Sequence, residues 1–207
     1  MVQKHLNKFV LVFGFMIDVV LPDKNSDLEE FRSLASALGW DDVIFLSDDL
    51  KASVVLAEAK QISSLKRSKV VFCRGSREAI ERGAHVLFGF ESAVREDFLH
   101  HRASGLNHVL CRLAKKHGSF VAFNFSSVLV ADDFFRAKII GRMQQNIRLC
   151  RKYRIPMLPL SFARVPFEMR GLLDFRSFFV ELGMHPKEFV DGQEKFRDLL
   201  DKFSKPL

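Results

Sequence analysis

Cysteine is scarce in this chain of 207 residues: Cys73, Cys111 and Cys150, none in a C-x-x-C pair. Three thiols cannot staple a small secreted domain and do not make a thiolate zinc site, so reduced, buried cysteines are expected. Long hydrophobic runs are also missing. Lys4 and Lys8 precede an apolar stretch at residues 9–17 that resembles a signal peptide. The stretch is nine residues long, Asp18 breaks its continuation, and no small-residue cleavage site follows. A membrane-spanning helix needs about 20 apolar residues. The run is therefore read as a buried strand of a soluble, cytoplasmic chain without a membrane partner. No Gly/Ser-rich or Pro-rich linker, internal repeat or low-complexity stretch divides the sequence, and a single domain over residues 1–207 is expected.

Catalytic signatures are lacking as well. G-x-x-x-x-G-K-[ST], G-x-G-x-x-G, G-x-S-x-G and H-E-x-x-H do not occur. Gly75-Ser76 lacks the flanks of a nucleophile elbow, and the sequon at Asn124 falls in a strand. Of seven histidines, His5, His85, His117 and His185 are isolated. His100, His101 and His108 lie closer together and, with Asp18, frame one alternative, a metal-dependent phosphoesterase. The carboxylates nearest them, Glu96 and Asp97, sit in a long loop taken as flexible, and no second cluster completes a two-metal site. No catalytic residue, metal or protein-bound cofactor is expected.

What is present is a globular composition, 48% hydrophobic and 28% charged. Strand-like runs at 15–20, 43–46, 70–73, 85–90, 120–125 and 157–161 alternate with helical patterns at 28–38, 77–82, 106–117, 134–153, 172–182 and 196–203. Residues 47–68 are ambiguous, with a further short strand beginning at Val54-Val55 and a helix over 56–62 as the candidates. Such alternation predicts βα units and a parallel sheet. The count favours a compact α/β fold of the TIM-like (β/α) barrel type, short of the usual ~250 residues. An open doubly wound sheet is the competing architecture.

Charge is unevenly spread. The net formal charge is +7, yet residues 66–167 hold 19 bases against 7 acids. The helical pattern at 106–117 places His108, Arg112, Lys115 and Lys116 opposite its apolar stripe. From Arg136 to Arg154 there are seven bases and no acid, with Lys138, Arg142, Arg148, Arg151 and Lys152 around a core stripe. Like charges at helical spacing repel unless a counter-charge is supplied, which points to a polyanion or an acidic protein partner. The loops after the strands add Arg74, Arg77, Arg95, His100, His101, Arg102, Arg164 and Arg170. That surface suits a phosphate binder better than an acid–base enzyme.

The stretch GLNHVLCRLAKKH at 105–117, the following strand and Ser126, the long Arg/Lys helix, Leu160-Ser161, Met169-Arg170 and the closing helix resemble the archaeal and eukaryotic thirty-kilodalton protein subunit of ribonuclease P in order and spacing. The resemblance implies a barrel similar to polymerase-and-histidinol-phosphatase type hydrolases without their metal ligands. Residues 15–19 indeed lack the paired histidines of a first metal-binding strand. It further implies a partnership with ribonuclease P RNA, precursor tRNA and a small ferredoxin-like protein subunit. The RNA, using magnesium, would remove the 5′ leader from precursor tRNA. Basic family positions important for activity match Arg74, Arg77, His108, Lys116 and Arg170. The RNA-binding set expected here is Arg74, Arg77, Arg102, His108, Arg112, Lys116, Arg164 and Arg170.

Overall fold

A computed structural model describes residues 15–204 apart from Asn25, Val94, Arg95, Phe98 and His101. The expectations for Lys4, His5, Lys8 and residues 9–14 lie outside that range.

Seven strands are described: β1 (Ile17–Val20), β2 (Asp42–Phe45), β3 (Val54–Leu56), β4 (Val70–Arg74), β5 (Val86–Phe88), β6 (Phe120–Asn124) and β7 (Met157–Leu160). Their runs are rich in Val, Ile and Phe on both faces, as parallel strands covered by helices require. All pairings are parallel and follow chain order, β1 with β2 and then β3 through β7. Two seams join the sets into a ring. At one, the Phe162 and Leu21 amides donate to the Val19 and Ala163 carbonyls at 2.9 and 3.0 Å. At the other, Ser47 bridges to Val55, and the Leu56 amide donates to the Ser47 carbonyl at 2.8 Å. The barrel expected from the alternation is the fold observed; the open sheet is not.

The ambiguous stretch 47–68 divides. Val54-Val55 is strand, but a helix over 56–62 does not form. Instead a 3-10 turn at Ala59–Gln61 leads into α2 (Ile62–Leu65). The Gln61 side chain accepts from the Glu58 amide at 2.9 Å, a capping box that fixes the later start. The other helices are α1 (Leu28–Ala37), α3 (Arg77–Glu81), α4 (His108–His117), α5 (Ser126–Val130), α6 (Asp133–Tyr153), α7 (Leu172–Glu181) and α8 (Pro186–Ser204). Helix α5 was not anticipated. Helix α8 begins ten residues before the expected 196, because Pro186 suits a first helical turn and Gly192 is an interior position rather than a break.

Strand residues alternate between two apolar clusters. Val71, Cys73 and Val121 face the surrounding helices, whereas Val70, Phe72, Phe88 and Leu160 fill the ring. Phe196 of α8 joins the inner set, its ring 6.0 Å from that of Phe72 and 6.2 Å from that of Phe120. Helix α8 thus closes the end of the ring where the strands begin. A Cβ at Gly192 would overlap the Met157 carbonyl, so glycine is what allows this approach. The Gln193 side chain accepts from the Ile17 amide at 3.1 Å and ties the same helix to β1. The strand C-termini stay open as the mouth, and Arg74, next in the inward alternation of β4, stands there. All three cysteines are buried, as expected, and burial pushes their thiols upward.

Candidate nucleic-acid interface

Two basic surfaces are positioned by this frame. The first runs along α4 and the solvent side of α6. Asn107 caps α4 by accepting from the Val109 and Leu110 amides, both at 3.0 Å, and Gly118 ends it in a left-handed conformation. Burial of Cys111 and Ala114 turns His108, Arg112 and Lys116 outward at successive turns, and all three are exposed. Lys115 donates to the Arg154 carbonyl at 3.1 Å and so links the ends of α4 and α6. Helix α4 contains no acid.

Helix α6 departs from expectation. The seven bases from Arg136 to Arg154, six of them in α6, do not await an external counter-charge as a group. Arg142, expected on the outer face, is 4% exposed, donates to Asp97 at 2.9 Å, and reaches the Glu91 and Ala93 carbonyls at 3.1 and 2.7 Å. Arg151 forks onto Glu188 at 2.7 and 2.6 Å. Arg136 bonds Asp133 and two carbonyls, and Lys138 pairs with Glu96 at 3.0 Å. The partners lie tens of residues away or in a neighbouring turn, where a charge count along one helix does not see them. Arg148, Lys152 and Arg154 stay exposed, with no ion pair among the described residues.

The same contacts correct the loop between β5 and α4, which was taken as flexible. Asp97 accepts from the Ala103 amide at 2.8 Å, and the Arg102 amide donates to Gln145 at 2.9 Å. Burial opposes the charge on Asp97, but the Ala103 amide and the guanidiniums of Arg142 and Arg102 hold its carboxyl below the usual range. Arg102 is half-exposed, paired with Asp97 at 3.2 Å, and lies against Gly141 of α6. It therefore extends the α6 face. Arg95 and His101 are outside the described residues.

The second surface is the mouth. Arg74 and Arg164 line one pocket of about 1100 Å³ at the C-terminal ends of the strands, together with Asn124, Ser92, Ser126 and Ser127. Behind it lies the buried carboxyl of Glu91, which accepts from the Asn124 amide at 3.0 Å. Burial pushes Glu91 up to about 7, against the pull of the Asn124 amide and Arg74. Arg77 opens α3 beside the start of α4, exposed but paired with Glu81 at 2.7 Å. Arg170 is the least available of the expected set. It donates to the Phe167 and Met169 carbonyls at 2.7 and 2.8 Å, and its own carbonyl accepts from Trp40 at 2.9 Å. The expected residues thus separate into a mouth pair (Arg74, Arg164), a helix ridge (His108, Arg112, Lys116, with Arg102 beside it), a linking Arg77, and a loop-bracing Arg170. Sequence reasoning met Asn124 only as a sequon and missed Glu91, which carries no motif; the two become neighbours only through the ring.

Asp18 does not join any histidine. It is buried in the seam beside β7, accepts from the Ser161 amide at 2.8 Å and the Val19 amide at 2.9 Å, and is pushed up to about 6 by burial. Among the described residues no group of three or more His, Cys, Asp or Glu is gathered to hold a metal. No helix among them is long and apolar enough to cross a membrane.

No family model matches the chain. It is 27% identical over 172 residues to ribonuclease P protein component 3 of Thermococcus kodakarensis, covering 81% of this chain and 72% of that protein. It is 29% identical over 168 residues to the protein of the same name from Thermococcus gammatolerans, covering 81% and 74%. The chain is related to ribonuclease P protein component 3. A chain in a cryo-EM structure of archaeal ribonuclease P with mature tRNA matches the fold with a TM-score of 0.72, at 22% identity and over 92% of this chain and 93% of that one. The resemblance first met at residues 105–117 therefore extends to the architecture.

Proposed function

We propose that this chain is a protein subunit of ribonuclease P that binds and steadies the RNA removing the 5′ leader from precursor tRNA. The observation that carries this is the ridge of α4 and outer α6. Basic side chains stand there at successive turns with no acid on α4 and no acid in α6 beyond Asp133. Unpaired cations held on rigid helices gain counterion release on meeting a phosphate backbone. Phosphate contacts of this kind position RNA without reading its sequence. Arg112 and Lys116 contact backbone, His108 bonds a phosphate or 2′-hydroxyl, and Arg74, Arg77, Arg102 and Arg164 extend the contact toward the mouth. Arg170 acts chiefly by bracing the loop after β7.

The protein supplies no catalytic group in this reading. Magnesium belongs to the RNA, and the subunit lowers the concentration needed by neutralising phosphates. The small ferredoxin-like subunit and precursor tRNA complete the assembly, in the cytoplasm, on a single-domain barrel. Support comes from the named relatives and from the dispersal of Asp18, His100 and His108, which leaves the phosphoesterase alternative without a ligand set. The test is reconstitution with ribonuclease P RNA and the small subunit at limiting magnesium. Cleavage of precursor tRNA should rise when this chain is added and fall with an Arg112→Ala/Lys116→Ala variant. Stimulation by the variant equal to that of the parent chain overturns the assignment of the ridge.

A further inference from the structure

The mouth is built for more than a passing phosphate. Its pocket, about 1100 Å³, is slightly above the usual range for small-ligand sites, ~300–1,000 Å³. Its rim is mixed in sign. Arg74 and Arg164 have no side-chain hydrogen bond or ion pair among the described residues, while Asp48 and Glu58, both exposed, line the same pocket. A stretch of duplex backbone would gain from the two arginines and lose against the two carboxylates. A ligand with an anionic end and an amino-bearing end would gain from both. The floor is apolar and aromatic, formed by Phe88 and Phe162, whose rings stack at 4.9 Å. On the wall, Asn124 uses its side-chain oxygen to accept from the Ser127 amide at 3.2 Å, which leaves its amide –NH2 as a donor facing a ligand.

We propose that the mouth binds one unstacked nucleotide, its phosphate on Arg74 and Arg164 and its base in the pocket toward Asp48, Glu58 and Asn124. Planar bases pack against apolar and aromatic floors and are read along their edges when splayed out of a strand. Exocyclic amines of cytosine, adenine and guanine match the two carboxylates; uracil has none. The source of the nucleotide is the bound RNA. That part rests on the ribonuclease P reading, whereas the pocket's chemistry does not.

The test uses the isolated full chain, amide-resolved NMR, and CMP, AMP, GMP, UMP and inorganic phosphate as probes. The expected result is that CMP, AMP or GMP shifts amides around the mouth, with UMP and phosphate each weaker by about tenfold or more, one good hydrogen-bonded charge pair being worth that much. Arg74→Ala should weaken the nucleotide by a similar factor. Val130→Trp, a change at an exposed rim position, should block it by filling the pocket, with thermal midpoints showing that both variants fold. Ribonuclease P RNA should displace the nucleotide. Phosphate binding as tightly as CMP, shifts confined to the α4–α6 ridge, or no binding at all would overturn the pocket. Binding that RNA leaves undisturbed would overturn the RNA as its source and assign a free nucleotide. Stimulation by this chain of the RNA's cleavage that persists in any of these cases leaves the subunit role standing, so the two failures are distinguishable.

Discussion

Arg142 shows how much one side chain decides. Its charge is buried, but Asp97 and two loop carbonyls surround it, so its cost is met and the loop before α4 is fixed in place. Removing Arg142 would leave Asp97 only the half-exposed Arg102 and the Ala103 amide, and would take the guanidinium donor from the Glu91 and Ala93 carbonyls. Arg142→Ala should therefore cost roughly 3–5 kcal/mol in denaturant unfolding, whereas the exposed Lys152→Ala should stay within about 0.5 kcal/mol. Nothing in the sequence around 142 distinguishes it from Arg148. Both are arginines in a basic helix, and only the ring's curvature brings Asp97, 45 positions earlier, against one of them.

Two buried carboxyls give stability a pH dependence of defined sign. Asp18 holds its proton to about 6 in the folded chain and Glu91 to about 7, both because burial disfavours the charge. An unfolded chain releases these protons near the ordinary values of about 3.9 and 4.3. Between those limits the folded state binds more protons, so stability is present at low pH and is lost as pH rises through 4 to 7. Asp18→Asn keeps the oxygen that accepts from Ser161 and Val19 and removes the titration. Thermal melts should show the variant gaining on the parent as pH rises from 4 to 7, by an amount on the order of 2 kcal/mol. A constant difference across that range would mean that Asp18 does not titrate there.

At the scale of elements, α4 was legible in its basic face and in its bounds to within two residues, although Val109 of its expected buried stripe is exposed, and α6 only in outline. The stripe, cap and basic face of α4 depend on spacings within a dozen residues, and spacing is what a sequence displays. The outer face of α6 depends on what packs beside it: α8 brings Glu188 to Arg151, and the loop brings Glu96 to Lys138. The same distinction separates two kinds of mutation. Arg112→Ala or Lys116→Ala should reduce the slope of log affinity against log salt for RNA by about 1 each, with stability unchanged. Arg151→Ala should leave that slope alone and lower the unfolding midpoint. A slope unchanged by the α4 variants would place the phosphates elsewhere.

For the whole molecule, the barrel class followed from alternation, but its closure did not. Ring closure rests on two narrow seams and on α8 lying under the strands, and neither has a local signature. Gly192 carries no signal in the sequence; its role is to let a helix backbone meet the Met157 carbonyl. A methyl group at that point must push α8 away, and Phe196, seated among Phe72 and Phe120, moves with it. Gly192→Ala should destabilise the fold by about 1–3 kcal/mol, the range for overpacking a filled core, although glycine to alanine is ordinarily favourable inside a helix. The strands whose first residues rest on α8 are those whose last residues carry the mouth, so loosening one end should be felt at the other. RNA affinity should therefore fall in Gly192→Ala together with thermal stability, whereas Arg74→Ala should lower affinity with stability intact. If Gly192→Ala melts at the parent's temperature, α8 does not seal the ring, and the coupling between the two ends of the strands is lost with it.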